Sequence, residues 1–390
     1  MDEGLPLAVV AAVAELDRPA CGYVYLRSSL RAAVARLRAA LPVGATLLYA
    51  MKANGHPAVV AELAAVTDGL EVASGGELAL ARSVGAARMA FGGPGKTDAE
   101  LAAAIAAGAV LHVESVGEAR RLAWLAETAG ADAVPVAVRV NRATGGPAGS
   151  HQMTGVPTPF GVDEAGLPEL LAVIAGSPRL TLLGFHLHAV SNSLDAASYA
   201  AFATEAVVWS AAAAQQHRFA LSYVNVGGGI GVDYQGGPPF DLARLRDGLS
   251  GLVLPEGVEL VFEPGRYLTA DAGWYAAEVL DLKRTHGRWF AVLRGGTHHF
   301  RLPAAWGYSH PFQVLPVDRW RYPFERPEIR DVAVDAVGEL CTPRDVLTRG
   351  QQVPLLRVGD VLVFGNTGGY GWDISHHDFL QHPHPQLVVR

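Results

Sequence analysis

Cysteine is scarce in this chain of 390 residues, which has only Cys21 and Cys341. Two cysteines do not make a disulfide framework, so a packed core must hold the fold. Although 50% of the residues are hydrophobic, no run of about 20 uninterrupted apolar residues occurs, and no membrane-spanning helix is expected. The sequence opens Met1-Asp2-Glu3 without a basic segment before its first apolar stretch, so no secretory signal is predicted. These absences are typical of a cytoplasmic protein.

Positive charge is also in short supply. The chain has 31 Lys and Arg residues against 38 Asp and Glu residues, which gives a formal net charge of −7. A nucleic-acid-binding protein carries a basic stripe or patch, and none is visible here. We therefore expect neither nucleic acid nor a membrane among the partners.

From about Ser28 the sequence alternates between short apolar runs and Ala- and Leu-rich stretches with helical spacing. Strands that alternate with helices predict a parallel sheet, and eight such units predict a (β/α)₈ TIM barrel. The eight predicted strands are Ala45–Ala50, Gly69–Ala73, Arg88–Phe91, Val110–Val113, Val134–Val140, Leu182–His188, Tyr223–Val226 and Glu259–Glu263.

The pattern changes after Asp271. Longer apolar runs follow, separated by Pro- and Gly-rich segments, and they predict an antiparallel β domain. Its predicted strands are Tyr275–Arg284, Trp289–Leu293, Asp331–Val337 and Asp360–Phe364, joined by Tyr23–Leu26 from the start of the chain. The predicted domains are therefore a barrel at 28–272 and a β domain formed by 1–27 and 273–390.

One lysine stands at the end of the first predicted barrel strand. The apolar run Leu47–Ala50 leads directly into Met51, Lys52, Ala53 and Asn54. Active sites of such barrels lie at the C-terminal ends of the strands, so this ammonium group is either solvated or part of the chemistry.

The segment Tyr49–Asn54 resembles the lysine motif of the alanine racemase-like (fold-type III) pyridoxal-phosphate decarboxylases, which include diaminopimelate and ornithine decarboxylases. The resemblance runs from about Gly22 to Tyr370 and implies a barrel with an added β domain. It also implies pyridoxal 5′-phosphate as the cofactor, held by Lys52 as a Schiff base. Glu71 departs from the pattern, because the family commonly has Asp there.

Other predicted strands also end in polar residues. His186 and His188 should face one side of strand six, as a hydrogen-bonded pair, a metal pair or cofactor ligands. Gly227–Gly229 follows strand seven, where barrels often bind phosphate through backbone N–H groups, although a glycine run is equally typical of a mobile loop. Glu263–Arg266 ends strand eight and is also compatible with a plain strand-to-helix connection.

The resemblance assigns roles to these strand ends. In the family a histidine three residues before a serine stacks on the cofactor ring, which implies this role for His188. A carboxylate, here Glu263, keeps the pyridine nitrogen protonated, so that the ring accepts the electron pair left on the substrate when carbon dioxide departs. No metal ion is expected. The implied cofactor residues are Lys52, Arg139, His188, Ser191, Gly227, Gly228, Gly229, Glu263, Gly265, Arg266 and Tyr370.

The segment Gly338–Asp345 resembles the family's cysteine loop, with Cys341 in place of the cysteine that returns a proton to the substrate carbanion. A buried cysteine is more often a small apolar residue, but the Cys-x-x-x-Asp spacing favours the catalytic interpretation. Family members insert this loop into the partner's active site, which implies a homodimer with shared sites. The predicted catalytic residues are Lys52, Glu263 and Cys341.

Two histidine-rich segments, Gly295–Pro303 and Trp372–Pro385, resemble the siderophore-biosynthesis branch of the family. Enzymes of that branch decarboxylate an amino-acid unit joined to citrate. Such a carboxylate-rich substrate needs cationic donors, and the residues predicted to bind it are Arg301, Arg344, Asp345, His376 and His377.

Two alternatives to this function remain open at the level of sequence. One is a decarboxylase of a free amino acid such as diaminopimelate, lysine or ornithine, and the other is a barrel that binds the cofactor without turnover. The β domain and Cys341 argue against the second of these. The C-terminal histidines also fit a metal-scavenging or solvated tail, although the apolar residues among them argue against a loose one.

Overall fold

The computed structural model describes residues 4–144 and 146–390, which fall into two compact units. We call residues 31–232 and 239–267 the barrel unit, and residues up to 30, 233–238 and 268–390 the β unit. The β unit thus includes a short piece, 233–238, from within the predicted barrel. The predicted domain limits stay a prediction, and residues 1–3 lie outside the described residues.

The strands are distributed between the two units. In chain order they are β1 Cys21–Tyr25, β2 Thr46–Ala50, β3 Gly69–Val72, β4 Met89–Phe91, β5 Val110–Val113, β6 Val134–Asn141, β7 His151–Gln152, β8 Val162–Asp163, β9 Leu180–His186, β10 Val190–Ser191, β11 Tyr223–Asn225, β12 Glu259–Phe262, β13 Gly273–Thr285, β14 Arg288–Leu293, β15 Gln313–Leu315, β16 Glu328–Val337, β17 Val346–Arg357, β18 Val361–Phe364 and β19 Gln386–Val389.

Most helices connect the barrel strands. They are α1 Leu7–Ala14, α2 Arg27–Arg38, α3 Pro57–Ala64, α4 Gly75–Ser83, α5 Asp98–Ala107, α6 Val116–Thr128, α7 Leu167–Ala175, α8 Ala196–His217, α9 Leu242–Leu249, α10 Arg266–Thr269 and α11 Leu302–Trp306. Three short 3₁₀ turns occur at Met51–Ala53, Ala270–Ala272 and Phe379–Gln381.

Eight parallel strands close into a barrel in the order β2-β3-β4-β5-β6-β9-β11-β12, and β12 pairs with β2. All eight predicted strands are present at nearly the predicted positions, so the predicted TIM barrel is confirmed. Helices α4, α5 and α6 each begin at a Ser or Thr whose side chain accepts a backbone N–H three residues on, which satisfies one orphan donor of the first turn.

The strands place an apolar layer beneath a polar one inside the barrel. The apolar layer is a buried cluster that includes Leu48, Val110, Ala137, Tyr223 and Val261. Side chains two residues apart along a strand share a face, so the next inward positions belong to the same side of the barrel wall. Those positions are Ala50, His112, Arg139, Asn225 and Glu263.

The β unit is built on β13, the longest strand. Its first half pairs antiparallel with β1 and β18, and its second half, after a register shift between Val279 and Asp281, pairs with β14. The predicted antiparallel β domain is confirmed, with two parallel pairs inside it, β14 with β16 and β1 with β19. Helix α1 packs Val9, Ala12 and Val13 into the core of this unit.

Some elements of the β unit were not predicted. Strand β17 pairs with β16 across two register shifts, which interrupt the alternation that would have revealed it. Strands β15 and β19 have only three and four residues. Across residues 4–144 and 146–390, no helix has the length and apolar character to cross a membrane.

Candidate active site

Lys52 lies in the 3₁₀ turn that follows β2, where the sequence predicted it. Its Nζ donates to Oε2 of Glu71 at 2.6 Å, and Glu71 sits near the end of the adjacent strand β3. Burial raises the pKa of Glu71, and the Lys52 ammonium only partly opposes that shift. A carboxyl group that holds its proton more readily is suited to exchange one with the amine, which must be neutral to act as a nucleophile.

Glu263 follows β12 and is buried, with 4% of its surface exposed. Its Oε1 accepts a hydrogen bond from Nδ2 of Asn225 at 2.6 Å. Asn225 Oδ1 in turn accepts the backbone N–H of Gly227 at 2.8 Å. One asparagine thus orients both the buried carboxylate and the start of the glycine loop.

Two histidines lie against this carboxylate. His186 Nε2 is 3.3 Å from Glu263 Oε2, but it is not aligned for a hydrogen bond, and neither ring nitrogen of His186 has a hydrogen-bond partner among the described residues. The ring of His112 stacks on His186 at 4.1 Å, and its Nε2 lies 3.1 Å from the hydroxyl of Tyr223. Burial lowers the pKa of both histidines well below its usual value, so both rings are neutral at pH 7.

The same three residues satisfy the distance requirement of a metal site. One ligand atom each from His112, His186 and Glu263 lie within 4.8 Å of one another. Imidazoles and a carboxylate are ordinary zinc ligands. From the sequence, a metal pair at His186 and His188 was one interpretation, and the expectation that no metal ion is bound stays a prediction.

His188 and the glycine loop pack tightly. The backbone N–H of Gly228 donates to His188 Nδ1 at 3.2 Å. A Cβ at Gly227 would lie 2.4 Å from that same Nδ1, and the φ of +71° at Gly227 already favours glycine. Gly227 and Gly228 are both buried, as befits a loop fixed by packing rather than a mobile one.

The turn after β12 contacts the turn that carries the lysine. Ala50 N–H donates to the carbonyl of Pro264, and a Cβ on Gly265 would lie 2.8 Å from Cβ of Ala53. Glycine at 265 therefore brings the two turns together. Arg266 is buried at the start of α10, and Ser191 is half-buried at the end of β10, which pairs with β7.

Arg139 projects from β6 and has its charge balanced. Its Nη1 donates to Oε1 of Glu114 at 3.1 Å, and the guanidinium lies 4.6 Å from the ring centroid of Phe160. Glu114 also accepts the backbone N–H groups of Gly93 and Gly161. This buried network fixes the orientation of Arg139 at the end of its strand.

The β unit holds the remaining predicted residues. Cys341 is an exposed free thiol in the loop between β16 and β17. Asp345 in the same loop is buried and accepts the N–H groups of Thr297 and Leu340 at 2.6 and 2.8 Å. These contacts anchor the loop, and the predicted contact of Asp345 with substrate stays a prediction. Tyr370 has a φ of +56° in the turn after β18.

The predicted substrate residues separate in the β unit. Arg301, Arg344 and His376 line one cavity of about 980 Å³. His377 instead stacks on Trp372, with ring centroids 3.5 Å apart, and its Nε2 contacts the Trp372 carbonyl. The histidine-rich segment is therefore an ordered part of the fold, since its rings pack against one another and Trp372.

Four polar residues in these regions carried no predicted role. Glu71, His112 and Asn225 belong to the barrel cluster, and Arg349 lines the cavity of the β unit. Strand alternation carries a signal for two of them, because His112 and Asn225 stand two residues beyond the apolar Val110 and Tyr223. Arg349 had no such signal, since β17 was not predicted.

Comparison with known proteins gives a consistent result. A family model described as pyridoxal-dependent decarboxylase, pyridoxal binding domain, matches residues 27–270. This range contains Lys52, Glu71, His188, the glycine loop and Glu263.

Two relatives and one solved structure are similar over nearly the whole chain. The 2-[(L-alanin-3-ylcarbamoyl)methyl]-2-hydroxybutanedioate decarboxylase of Staphylococcus aureus is 38% identical, over 95% of this chain and 94% of the relative. The diaminopimelate decarboxylase of Deinococcus radiodurans is 33% identical, over 94% and 89%. The crystal structure of diaminopimelate decarboxylase from Helicobacter pylori with L-lysine shares the fold, with a TM-score of 0.84 at 24% identity over 95% and 91% of the two chains.

Proposed function

Because this chain belongs to the pyridoxal-dependent decarboxylases, we propose that it removes carbon dioxide from an amino-acid unit joined to citrate, as a step of siderophore biosynthesis. The enzyme class and the cofactor, pyridoxal 5′-phosphate, follow from the family. The substrate and the residue roles are our proposal. The observation that supports this substrate is the similarity to the Staphylococcus aureus enzyme over 95% of the chain. The name of that enzyme describes such a conjugate.

The barrel unit fits the cofactor. Around one strand-end rim it combines a lysine amine, a buried carboxylate and a glycine loop in which a side chain at Gly227 would collide with His188. His186 has two buried ring nitrogens without a hydrogen-bond partner in the described part of the chain, so a ligand could still form hydrogen bonds beside the carboxylate. Pyridoxal phosphate, when bound, supplies an electron sink for the pair left by departing carbon dioxide.

Each residue has a role that its surroundings support. Lys52 would hold the cofactor through Nζ, and Glu71 would accept and return the proton of that amine. Glu263 would hold a proton on the ring nitrogen, and Asn225 keeps its carboxylate turned in one direction. The backbone N–H groups of the glycine loop, with Ser191, Arg266 and Tyr370, would bind the phosphate.

A conjugate substrate carries carboxylates remote from the reacting carbon. The relative's substrate name contains a 2-hydroxybutanedioate, which has two carboxylates and a hydroxyl group. Arg344 in the cysteine loop makes no ion pair within the described chain and suits such an anion. Free lysine or ornithine would instead bring an ammonium group to this cation.

We further propose that the active enzyme is a homodimer in which Cys341 of one subunit returns a proton to substrate in the other. The exposed thiol of Cys341 supports this, because a group that serves another subunit must be accessible. Cys21 makes the contrast clear: it is buried beside His299, and burial raises its pKa to about 11. The cytoplasmic location expected from the sequence remains a proposal as well.

The substrate proposal is tested by measuring carbon dioxide release from four compounds under identical conditions. They are the citryl–diaminopropionate conjugate, meso-diaminopimelate, lysine and ornithine. We expect kcat/KM to be highest for the conjugate by about 10²-fold or more, since two charge-assisted contacts would be lost with the others. A higher kcat/KM for any free amino acid would assign the chain to the alternative function.

A further inference from the structure

Three arginines from separate elements surround the cavity of about 980 Å³ in the β unit. Arg301 immediately precedes α11, Arg344 lies in the cysteine loop, and Arg349 lies on β17. All three are exposed, and all three line the cavity. Elements that are separate in sequence thus bring three arginines to the lining of one space.

None of these three guanidinium groups makes an ion pair with any residue that the structure describes. Some other arginines of the same unit are paired, as Arg294 is with Glu339 and Arg326 is with Asp360 at 3.1 Å. The residues that line the cavity include no Asp or Glu. The nearest candidate in sequence, Asp345, is buried and turned towards two backbone N–H groups.

Like charges that converge without a counter-ion repel one another, and an anion between them removes that cost. Guanidinium groups match carboxylates because they offer two parallel N–H donors. The cavity is also lined by Thr342, Ser309 and Tyr308, whose hydroxyl groups make hydrogen bonds within the chain to Arg344, Arg349 and His310. A cavity of this size with three arginines is suited to a ligand with several carboxylates rather than to one small ion.

His376 adds a conditional donor at the same wall. Burial lowers its pKa, and the Arg301 charge lowers it further. A bound carboxylate would oppose the effect of Arg301 and favour the protonated ring. A bound carboxylate would thus strengthen His376 as a hydrogen-bond donor at this wall.

We propose that this cavity is the recognition site for the hydroxy-dicarboxylate end of the substrate, and that Arg349 is a specificity-determining residue of it. The inference rests on the proposed function for the identity of the anion. The proposed recognition site differs from the one predicted from sequence by including Arg349, since Arg301 and Arg344 were already predicted to bind substrate. On this proposal the β-unit cavity selects the substrate by its anionic end.

Free citrate is the probe. We expect it to inhibit decarboxylation of the conjugate competitively and to bind the holoenzyme in calorimetry. Arg349→Gln should raise both the inhibition constant of citrate and the KM of the conjugate by about 10-fold or more, with kcat changed by less than about 2-fold. Arg284→Gln, which removes an exposed strand arginine of the same unit outside the cavity, is the matched control and should change neither.

Arg349→Lys separates recognition from folding. Lysine keeps the charge but loses the two-pronged donor, so we expect a KM between those of the wild type and Arg349→Gln. The cofactor absorbance of all variants, measured alongside, should match that of the wild type. A loss of cofactor in both Arg349 variants would give this residue a structural role and overturn the inference.

The remaining outcomes separate this inference from the proposed function. If the conjugate is the best substrate but Arg349→Gln leaves KM and citrate binding unchanged, the cavity is not the recognition site and the function stands. If a free amino acid is the best substrate but citrate still binds through Arg349, the cavity stands and the proposed substrate is wrong. Equal binding of sulfate and citrate would show a general anion site and overturn the inference.

Discussion

The polar cluster of the barrel unit and the cavity of the β unit solve opposite problems. In the barrel, Glu263 is buried with Asn225 against it, and Lys52 is paired with Glu71. In the β unit, the arginines of the cavity are exposed and unpaired within the described residues. Charges that are satisfied inside the chain stay in one geometry, which suits chemistry that every turnover repeats. Charges left unsatisfied need a ligand from outside, which suits recognition.

The comparison also explains how one family accommodates different substrates. A buried network tolerates little change, because removal of one partner leaves another polar group unsatisfied in a low-dielectric interior. An exposed cavity tolerates substitution, since water replaces any lost contact. The family relationship fixes the cofactor chemistry, and we expect substitutions of exposed cavity residues such as Arg344 and Arg349 to leave the fold intact.

The largest expected effect comes from Lys52→Ala. Turnover of the conjugate and of every free amino acid should fall together, by at least about 10²–10⁴-fold, because the variant lacks the amine that we propose to hold the cofactor and move a proton. Wild-type protein should be yellow, and borohydride should fix the cofactor on the peptide that contains Lys52, as seen by mass spectrometry. Lys283→Ala, an exposed lysine on β13, is the control.

A reducible cofactor band that persists in Lys52→Ala would show that another amine holds the cofactor. A loss confined to the conjugate would instead move Lys52 to recognition. Either result would contradict the assignment of the chemistry to the barrel cluster and of recognition to the β-unit cavity.

The barrel was predictable because each of its strands is a short apolar run beside a helical one, and the rule for strand ends then located Lys52 and Glu263. The partners of these residues were less visible. Asn225 acts through a hydrogen bond to a residue 38 positions away, and Glu71 pairs with a lysine 19 positions earlier. Such pairings depend on which strands are neighbours, which a single sequence does not specify.

The β unit shows the other limit. Arg349 lies on a strand whose partner has register shifts, so its polar and apolar residues do not alternate in a recognisable way. Convergence of Arg301, Arg344 and Arg349 on one cavity results from tertiary packing alone. His377 illustrates the reverse case, because it was predicted to bind substrate from its neighbourhood in sequence, while its ring stacks on Trp372.

The next effect in size is expected from Glu263→Gln. The amide oxygen can still accept the hydrogen bond from Asn225, so the variant removes charge while it preserves shape. The cofactor nitrogen would lose its ionic partner, and we expect kcat to fall by at least about 10²-fold while the cofactor remains bound. Stopped-flow and steady-state assays measure this, with Glu127→Gln on the exposed face of α6 as control. Unchanged kcat would place Glu263 outside the reaction.

Hybrid dimers test whether the two units meet across subunits in function. If Cys341 serves the partner, an equal mixture of Lys52→Ala and Cys341→Ala proteins should recover about a quarter of the wild-type sites after subunit exchange. Half of the dimers are then hybrids, and one of the two sites in each is native. The measurement is activity against time of exchange.

The double variant Lys52→Ala/Cys341→Ala mixed with wild type is the matched control. If Cys341 acts in the partner's site, these hybrids contain no native site, and only the wild-type dimers, about a quarter of all dimers, remain active. If Cys341 acts in its own subunit's site, each hybrid keeps one native site, and about half of all sites remain active. Recovery in the first mixture together with a quarter in the second would establish the shared site, and the opposite pair of results would refute it.

The smallest effect is a pH dependence of stability to which the barrel cluster contributes. Burial lowers the pKa of His112, His186 and His188 well below its usual value, so the folded chain excludes protons that the unfolded chain binds below about pH 6.5. Stability from these residues is therefore present above that pH and is lost as pH falls, by about 1.4 kcal/mol per pH unit for each histidine. His299 and His310 of the β unit, with pKa values lowered by burial to about 2 and about 4, contribute with the same sign.

The test therefore compares a variant with the wild type. His112→Gln should make the decline in unfolding free energy between pH 6 and pH 5 shallower by about 1.4 kcal/mol per pH unit, as measured by urea titration. His217→Gln, at the half-exposed end of α8, should leave the slope of the wild type. Parallel plots of unfolding free energy against pH for wild type and His112→Gln would show that His112 takes up its proton in the folded barrel. The inference that this cluster is packed and neutral, in contrast to the β-unit cavity, would then be wrong.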